Sequence, residues 1–296
     1  MISWSMGKSV VSALVGIAVE EGRIKSIEEP ISDYVPQLKG SGYDGVRIKD
    51  VLQMSSGVAF NEDYFDQTSD IRRMGHTVAL GFSINGFLTT LHSEREPGKF
   101  SHYVSMDTQA LGWLLHEVLR PEGLSLTGYA QERLWKRAGF EQDMLWLLDN
   151  DQDQMELAFG ALVSPTRDYA RFGWLFANAG KSPLDGSQLV PARWVADSVR
   201  PDAPHLLPGN HSLSDTDWGY GYQWWLPGIN DATEPYDNDG DFMAVGIYNQ
   251  FIYVNPRRSI VIARNSAYAH YDLHMRESEK EALACFRAIA KAFVPL

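Results

Sequence analysis

The stretch Ser3-Trp4-Ser5-Met6-Gly7-Lys8-Ser9-Val10, which continues as VSALVGIAVEEG to residue 22, decides the fold of this chain. Small and apolar residues recur in it at helical spacing, and Gly22 is a natural helix terminator. We therefore predict a helix from Ser5 to about Glu21. Because residues three apart lie on one face of a helix, Ser5 and Lys8 would face the same way in its first turn.

Ser5 and Lys8 can be interpreted as a nucleophile and its base. A serine hydroxyl is a weak nucleophile, and a lysine activates it only when the lysine pKa falls far enough to leave neutral amine. Burial and the positive end of the helix dipole would both lower the pKa of Lys8. By itself, however, Ser-x-x-Lys is common by chance and is also typical of a solvated helix start.

Gly7-Lys8-Ser9 also matches the end of a phosphate loop, G-x-x-x-x-G-K-[ST]. The first glycine of that motif would stand at position 2, which is Ile2, and no strand precedes it. The backbone turn that holds the phosphates would be incomplete. The sequence therefore favours the pairing of Lys8 with Ser5.

A second motif, Tyr103-Val104-Ser105, stands in a polar loop before a helix predicted to start around Met106. Tyr103 could relay a proton between Ser5 and a leaving group if Lys8 held it partly as phenolate. The alternative is a core tyrosine with a satisfied hydroxyl.

A third motif, Ala244-Val245-Gly246, lies in the strand pattern MAVGIYNQFIYVNP. Gly246 would let a substrate approach the strand edge, and the amide of Ile247 could then join the amide of Ser5 in an oxyanion hole. The alternative is an ordinary strand glycine at a bulge.

The remaining pattern predicts an α+β fold. Residues 1–60 hold the nucleophile helix and a second helical segment ending near Gly57, and residues 61–219 are mostly helical. Residues 220–296 carry aromatic and β-branched runs typical of antiparallel strands, followed by an amphipathic helix that would cover the sheet. We expect one intertwined unit, an antiparallel sheet flanked by helices with a mostly helical region.

Composition excludes several classes of protein. The formal net charge of −12 disfavours nucleic acid as a partner, and no apolar run is long enough for a membrane span. With Cys285 as the single cysteine, there can be no internal disulfide and no cysteine-based zinc site. Oligomeric state is left open.

In this order, with a helical region between the second and third, the three motifs resemble the serine β-lactamase and penicillin-binding-protein superfamily. The resemblance is to the class C-like esterase branch, which includes the 6-aminohexanoate-dimer hydrolases. Surrounding segments such as FGALVSPTRDYARFGWLF (159–176) and GYGYQWW (219–225) look like that branch as well. The resemblance implies a β-lactamase-like fold and a serine hydrolase that cleaves small esters or amides through an acyl-enzyme, with no metal and no organic cofactor. A non-catalytic penicillin-recognising or ligand-binding domain and a weak β-lactamase are the alternatives.

The resemblance also implies roles for single residues. Ser5 would be the acylated nucleophile, Lys8 its base and Tyr103 the second proton-transfer residue, while the amides of Ser5 and Ile247 would form the oxyanion hole. The substrate pocket is expected to include Ser105, Gly246, Tyr248, Trp224 and Trp225.

The sequence departs from the family pattern at three places. Ser105 replaces an asparagine that holds the substrate amide, and Ala244 replaces a lysine or histidine that meets a carboxylate. Efficient β-lactam hydrolysis is therefore not expected. Family members also carry on the order of a hundred residues before the nucleophile helix. We therefore expect the sequence to be a fragment without its N-terminal strands, and to be poorly soluble or inactive when expressed as written. The protein would be cytoplasmic if the N-terminus were complete and could be exported if an upstream segment were missing.

Two weaker patterns are interpreted as structural. His270-Tyr271-Asp272-Leu273-His274 lacks the glutamate of a zinc-protease motif and predicts a polar surface segment. Asp237-Asn238-Asp239-Gly240-Asp241 resembles a calcium loop, but the first ligand position would be Pro235, so an acidic loop near the site mouth is expected.

Overall fold

The structure, a computed structural model, describes residues 1–150, 152–208, 218–227 and 240–293, with the side chains of residues 272 and 273 excepted. The α-helices are α1 (Gly7–Glu20), α2 (Ile31–Tyr34), α3 (Ile48–Leu52), α4 (Asp70–Ala79), α5 (Ile84–Thr89), α6 (Ser105–Leu119), α7 (Leu126–Ala130), α8 (Lys136–Ala138), α9 (Thr166–Ala177), α10 (Ala192–Ser198) and α11 (Tyr271–Phe293). A π-helical segment, Gln131–Trp135, joins α7 to α8, and short 3₁₀ helices span Trp4–Met6, Pro36–Leu38, Arg120–Glu122 and Pro204–Leu206. The strands are β1 (Leu145–Trp146), β2 (Leu162–Val163), β3 (Gly219–Tyr220), β4 (Trp225–Leu226), β5 (Phe242–Gly246), β6 (Gln250–Asn255) and β7 (Ile260–Arg264).

An antiparallel sheet of five strands, ordered β3-β4-β5-β6-β7, lies between helices. Because side chains alternate along a strand, Phe251 and Tyr253 of β6 pack against α11, while Ile252 and Val254 point to the other face and join the main core. There α9 packs so closely that a Cβ on Gly173 would lie 2.7 Å from a methyl carbon of Ile252. The predicted α+β architecture is confirmed.

Helix α1 lies in the middle of the molecule, and its residues from Gly7 to Ala18 are all buried. A Cβ on Gly16 would come within 2.4 Å of the ring of Trp194 in α10, so only glycine fits there without rearrangement. The main core draws side chains from residues 1–60, 61–219 and 220–296 alike. The nucleophile helix is thus supported on all sides by the rest of the fold.

The residues before α1 are held in place by β-type pairing. The amino group of Met1 donates a hydrogen bond to the carbonyl of Ser164 at 2.8 Å, and the amide of Ser3 donates to the carbonyl of Leu162 at 2.7 Å. Trp4 follows with a φ of +47°, a conformation that is uncommon for a residue with a side chain and is found where surrounding structure enforces it. This strained turn places Ser5 at the entrance to α1.

The helix predicted from Ser5 begins as a 3₁₀ turn and becomes α-helical at Gly7. The helix expected to end near Gly57 ends earlier, at Leu52. The reason is that buried Met54 takes a left-handed φ of +52°, which no α-helix accommodates. The other predicted helices and strands are found close to their expected positions.

The two weaker sequence patterns give different outcomes. Residues 271–274 form the start of α11, but Tyr271 is buried rather than on a polar surface. Within the described ranges, no group of three His, Cys, Asp or Glu side chains could hold a metal ion. Residues 237–239 of the acidic loop lie outside the described residues, while Asp241 forms a two-pronged ion pair with Arg287 at 2.7 and 2.9 Å.

No helix in the described part of the chain combines the length and the apolar character that crossing a bilayer requires.

Candidate active site

The side chains of Ser5 and Lys8 meet at the first turn of α1. The Lys8 amine Nζ donates to the Ser5 hydroxyl at 3.1 Å and to the Ser105 hydroxyl at 3.3 Å. It also donates a short hydrogen bond to the carbonyl of Phe159. Lys8 is only 1% exposed, so the amine has these three oxygen neighbours in place of water.

Burial shapes the protonation of this lysine. Loss of hydration lowers the pKa of Lys8 to about 8, against the opposing attraction of Glu62 and Asp107. A substantial fraction of the amine is therefore neutral at mildly alkaline pH. A lysine amine that is partly neutral in this pH range can accept a proton from a neighbouring hydroxyl, as a general base must.

Tyr103 lies on the other side of the nucleophile. Its hydroxyl is hydrogen-bonded to Ser5, and its ring centroid is 5.4 Å from the Lys8 amine. Burial, reinforced by the negative charge of Glu62, raises the pKa of Tyr103 well above that of a free tyrosine. A raised pKa favours the neutral hydroxyl of Tyr103 over the phenolate, so the structure lends no support to a partial phenolate.

Strand β5 ends against the nucleophile turn. A Cβ on Gly246 would lie 2.6 Å from the carbonyl oxygen of Ser3 and 3.2 Å from the amide nitrogen of Ser5. Ile247 follows directly and lines the same cavity as Ser5. The end of β5 and the nucleophile turn therefore approach each other closely at the cavity.

A cavity opens in front of Ser5. Its wall is mainly aromatic and aliphatic, and Trp225 stacks on the ring of Tyr103 with 5.6 Å between centroids and 17° between planes. The cavity is lined by Ser5, Glu62, Tyr64, Tyr103, Trp218, Trp225, Val245, Gly246, Ile247, Tyr271, Met275, Arg276 and Glu279. A concave, largely apolar site with a few polar groups is typical of small-molecule binding.

Three residues expected in the pocket lie elsewhere. Trp224 is fully buried in the core against Phe172 and Phe176. The sequence did not predict this, because β3 and β4 are too short for their pattern to show which of two adjacent tryptophans faces the cavity. Tyr248 is 41% exposed and meets the ring of Trp4 outside the cavity. Ser105 is 1% exposed and lies behind the pocket wall, held by Lys8.

Glu62 is a site residue that sequence reasoning missed. It is 7% exposed and lines the cavity. Its carboxylate accepts hydrogen bonds from the Ser105 amide at 2.8 Å and the Ser105 hydroxyl at 2.5 Å. Burial raises the pKa of Glu62, while Lys8 and these hydrogen bonds oppose the rise. In the sequence it stands in an acidic segment, NEDYFDQ, that is typical of a solvated loop.

Helix α11 contributes a further wall that the sequence did not indicate. Arg276 lies 3.6 Å from Glu279 in an ion pair at the cavity, and burial raises the pKa of Glu279 to about 7. The signal available was the alternation of apolar and charged residues along α11. That pattern predicts a covering helix but does not say which polar side chains would face a cavity.

Residues 2–284 match the sequence pattern of the β-lactamase family, described as "Beta-lactamase". The chain belongs to the β-lactamase family. Among curated relatives, it is 29% identical over 276 residues to a 6-aminohexanoate-dimer hydrolase of Paenarthrobacter ureafaciens. That alignment covers 90% of this chain but only 66% of the relative's length, just under two thirds.

Solved structures share the β-lactamase-family fold. A putative 6-aminohexanoate-dimer hydrolase from Bacillus anthracis superposes with a TM-score of 0.82 and 22% identity, over 100% of this chain and 74% of that one. A family VIII carboxylesterase superposes with a TM-score of 0.64 and 16% identity, over 89% and 76% of the two chains. At these identities the likeness extends to the fold alone.

Proposed function

We propose that this chain is a serine hydrolase that cleaves small esters or amides through a covalent acyl-enzyme on Ser5. The Ser5 oxygen would attack the substrate carbonyl carbon while Lys8 takes its proton. The amides of Ser5 and Ile247 would hold the developing oxyanion, and the Tyr103 hydroxyl would give its proton to the leaving alcohol or amine while taking over the proton that Lys8 removed. Water would then hydrolyse the acyl-enzyme and release the acid.

The observation that carries this proposal is the contact of 3.1 Å between the Lys8 amine and the Ser5 hydroxyl. It joins a nucleophile to a buried lysine whose pKa is lowered to about 8, and a solvated surface lysine would have neither property. A phosphate loop finds no support, since Lys8 turns toward Ser5 and Ser9 donates its hydroxyl proton to the backbone carbonyl of Gln223 at 2.6 Å.

The relatives support ester or amide substrates rather than one compound. Their names include a 6-aminohexanoate-dimer hydrolase and a family VIII carboxylesterase. In this chain the cavity in front of Ser5 is largely apolar, which favours an acyl group of several carbon atoms. Position 244 provides no cation, because it is an alanine, so poor turnover of β-lactams is expected.

Labelling with a fluorophosphonate probe tests the nucleophile. We expect the protein to label at Ser5, found by peptide mass mapping, and Ser5→Ala to remain unlabelled. A panel of p-nitrophenyl esters of rising acyl length, nitrocefin and linear amide oligomers would then define the substrate class. Absence of labelling in folded protein would favour a ligand-binding domain instead.

A further inference from the structure

We propose that Glu62 is a positioning residue, which acts through the Ser105 hydroxyl to direct the lone pair of Lys8 at Ser5. The proposal rests on the function proposed above. It assigns a purpose to a buried carboxylate that lines the cavity and that no step of the reaction consumes.

The first part of the argument concerns the proton of Ser105. Glu62 accepts three hydrogen bonds, from the Ser105 amide at 2.8 Å, the Ser105 hydroxyl at 2.5 Å and the Tyr64 hydroxyl at 3.0 Å. Burial raises the pKa of Glu62, but these three donors oppose the rise and favour the ionised carboxylate, which can only accept. The hydroxyl proton of Ser105 is therefore committed to Glu62, and its oxygen is left as an acceptor.

The second part is a count of hydrogen bonds at Lys8. A neutral amine has two protons to donate and one lone pair. The Phe159 carbonyl can only accept, and with Glu62 in place the Ser105 oxygen can only accept as well. These two neighbours take both protons, so the lone pair is left for the third neighbour, the Ser5 hydroxyl at 3.1 Å. This orientation is the one in which Lys8 can remove the Ser5 proton.

The need for Glu62 follows from the serine at position 105. A hydroxyl rotates freely and can donate or accept, so without a fixed acceptor Ser105 could turn its proton toward Lys8. The lone pair would then be engaged by Ser105 instead of Ser5. A carboxylate that accepts from both the amide and the hydroxyl of Ser105 prevents that arrangement.

Charge is a separate effect of Glu62 and must be distinguished. The titratable groups that face Lys8 are Glu62, Tyr103 and Asp107. Burial raises the pKa of Asp107 to about 8, and Tyr43 donates to it at 2.9 Å. Because Glu62 raises the pKa of Lys8, its neutralisation would lower that pKa and make neutral amine available at lower pH. The change in charge alone would thus raise the labelling rate of a neutral Glu62 variant at low pH, whereas loss of the Lys8 orientation would lower that rate at every pH.

The test is a double-mutant cycle on Glu62→Gln and Ser105→Ala. The second-order rate constant for labelling by an uncharged fluorophosphonate is measured against pH for the wild type, both single variants and the double variant. We expect Glu62→Gln to reduce the rate on the alkaline plateau by about 10- to 100-fold and to move the acid limb to lower pH. In the Ser105→Ala background the same change should reduce the plateau by less than about 3-fold, because the connection is already lost.

Glu117→Gln serves as the matched control. Glu117 is also largely buried, with a side chain 10% exposed, but it lies in α6 about three turns beyond Ser105. The plateau labelling rate of Glu117→Gln should equal that of the wild type. The proposal would be overturned if Glu62→Gln lowered the plateau labelling rate equally in the wild-type and Ser105→Ala backgrounds. It would also be overturned if Glu62→Gln moved only the acid limb of the pH profile and left the plateau unchanged. If Glu62→Gln fails to unfold cooperatively, Ser105→Ala alone decides, since an unchanged plateau in that variant excludes a route through Ser105. Failure of the wild type to label contradicts the proposed function instead.

Discussion

A Cβ atom on Gly246 would lie 3.2 Å from the amide nitrogen of Ser5. The end of β5 and the nucleophile turn are therefore closer than any residue with a side chain allows without displacement. The same atom would lie 2.6 Å from the carbonyl oxygen of Ser3. Both neighbours are backbone atoms, which cannot rotate away as a side chain can.

We therefore predict that Gly246→Ala reduces kcat by about 100-fold, because the backbone donors move out of the positions in which they meet an oxyanion. Gly75→Ala is the control. Gly75 has open space around it in exposed α4, and alanine there should stabilise the helix by about 0.5–1 kcal/mol. Steady-state kinetics on a p-nitrophenyl ester and thermal unfolding measure both effects. An unchanged kcat in Gly246→Ala would contradict the assignment of the oxyanion hole.

The pH dependence of labelling follows from Lys8. Its pKa is lowered to about 8, and only the neutral amine can take the Ser5 proton. The labelling rate should rise with pH through about 8 and reach at pH 6 about a hundredth of its plateau. Rate constants for a fluorophosphonate between pH 5.5 and 9.5 measure this. Lys8→Met should remove the dependence together with most of the rate, whereas a rate that is flat across this range in the wild type would exclude Lys8 as the base.

The adjacent tryptophans should respond differently to truncation. Trp224 is fully buried among Phe172, Phe176 and Phe242, so Trp224→Ala should lower the free energy of unfolding by about 3–5 kcal/mol. Trp225 is only partly buried at the cavity wall, so Trp225→Ala should mainly change KM and the preferred acyl length. Urea denaturation and the ester series separate the two outcomes. Equal destabilisation by both variants would show that the two side chains are misassigned.

Glu279 makes the stability of the fold depend on pH. Burial raises the pKa of Glu279 from 4.5 to about 7. Between these values the folded protein keeps a proton that the unfolded chain has lost, so this group makes the free energy of unfolding fall as the pH rises. Glu279→Gln should therefore be more stable than the wild type at pH 8, by about 1–3 kcal/mol, and nearly equal to it at pH 4.5. Glu277→Gln, exposed on the same helix, should show no such difference, and a uniform effect of Glu279→Gln at both pH values would be inconsistent with ionisation as the cause.

Helical periodicity predicted that Ser5 and Lys8 face the same way, because residues three apart in a helix share a face, but that spacing alone is also typical of a solvated helix start. Tyr103 and Gly246 could be connected to that pair only by resemblance to a family, since no local rule relates positions so far apart. The β-lactamase-like fold and its antiparallel sheet followed from the same resemblance and from the strand patterns after residue 219.

Glu62 and Trp224 mark where prediction from sequence ended. The two partners that connect Glu62 to the site, Lys8 and Ser105, are 54 and 43 positions away, and Glu62 itself stands in a polar, acidic stretch of sequence. Trp224 follows Gln223, whose φ of +63° reverses the chain between two strands of two residues each. Alternation cannot be extrapolated through such a turn, so the identity of the tryptophan at the cavity depended on backbone geometry that composition does not encode.

The segment 159–164 holds both the base and the nucleophile turn. Phe159 accepts from Lys8, and Leu162 and Ser164 pair with the residues that precede Ser5. These contacts join positions 151 to 163 apart in the chain, and closing a loop of that length has an entropic cost that must be met before the contacts form. The site should consequently be among the last parts of the molecule to be completed during folding. In a refolding experiment, labelling of Ser5 should recover later than the helical circular dichroism signal.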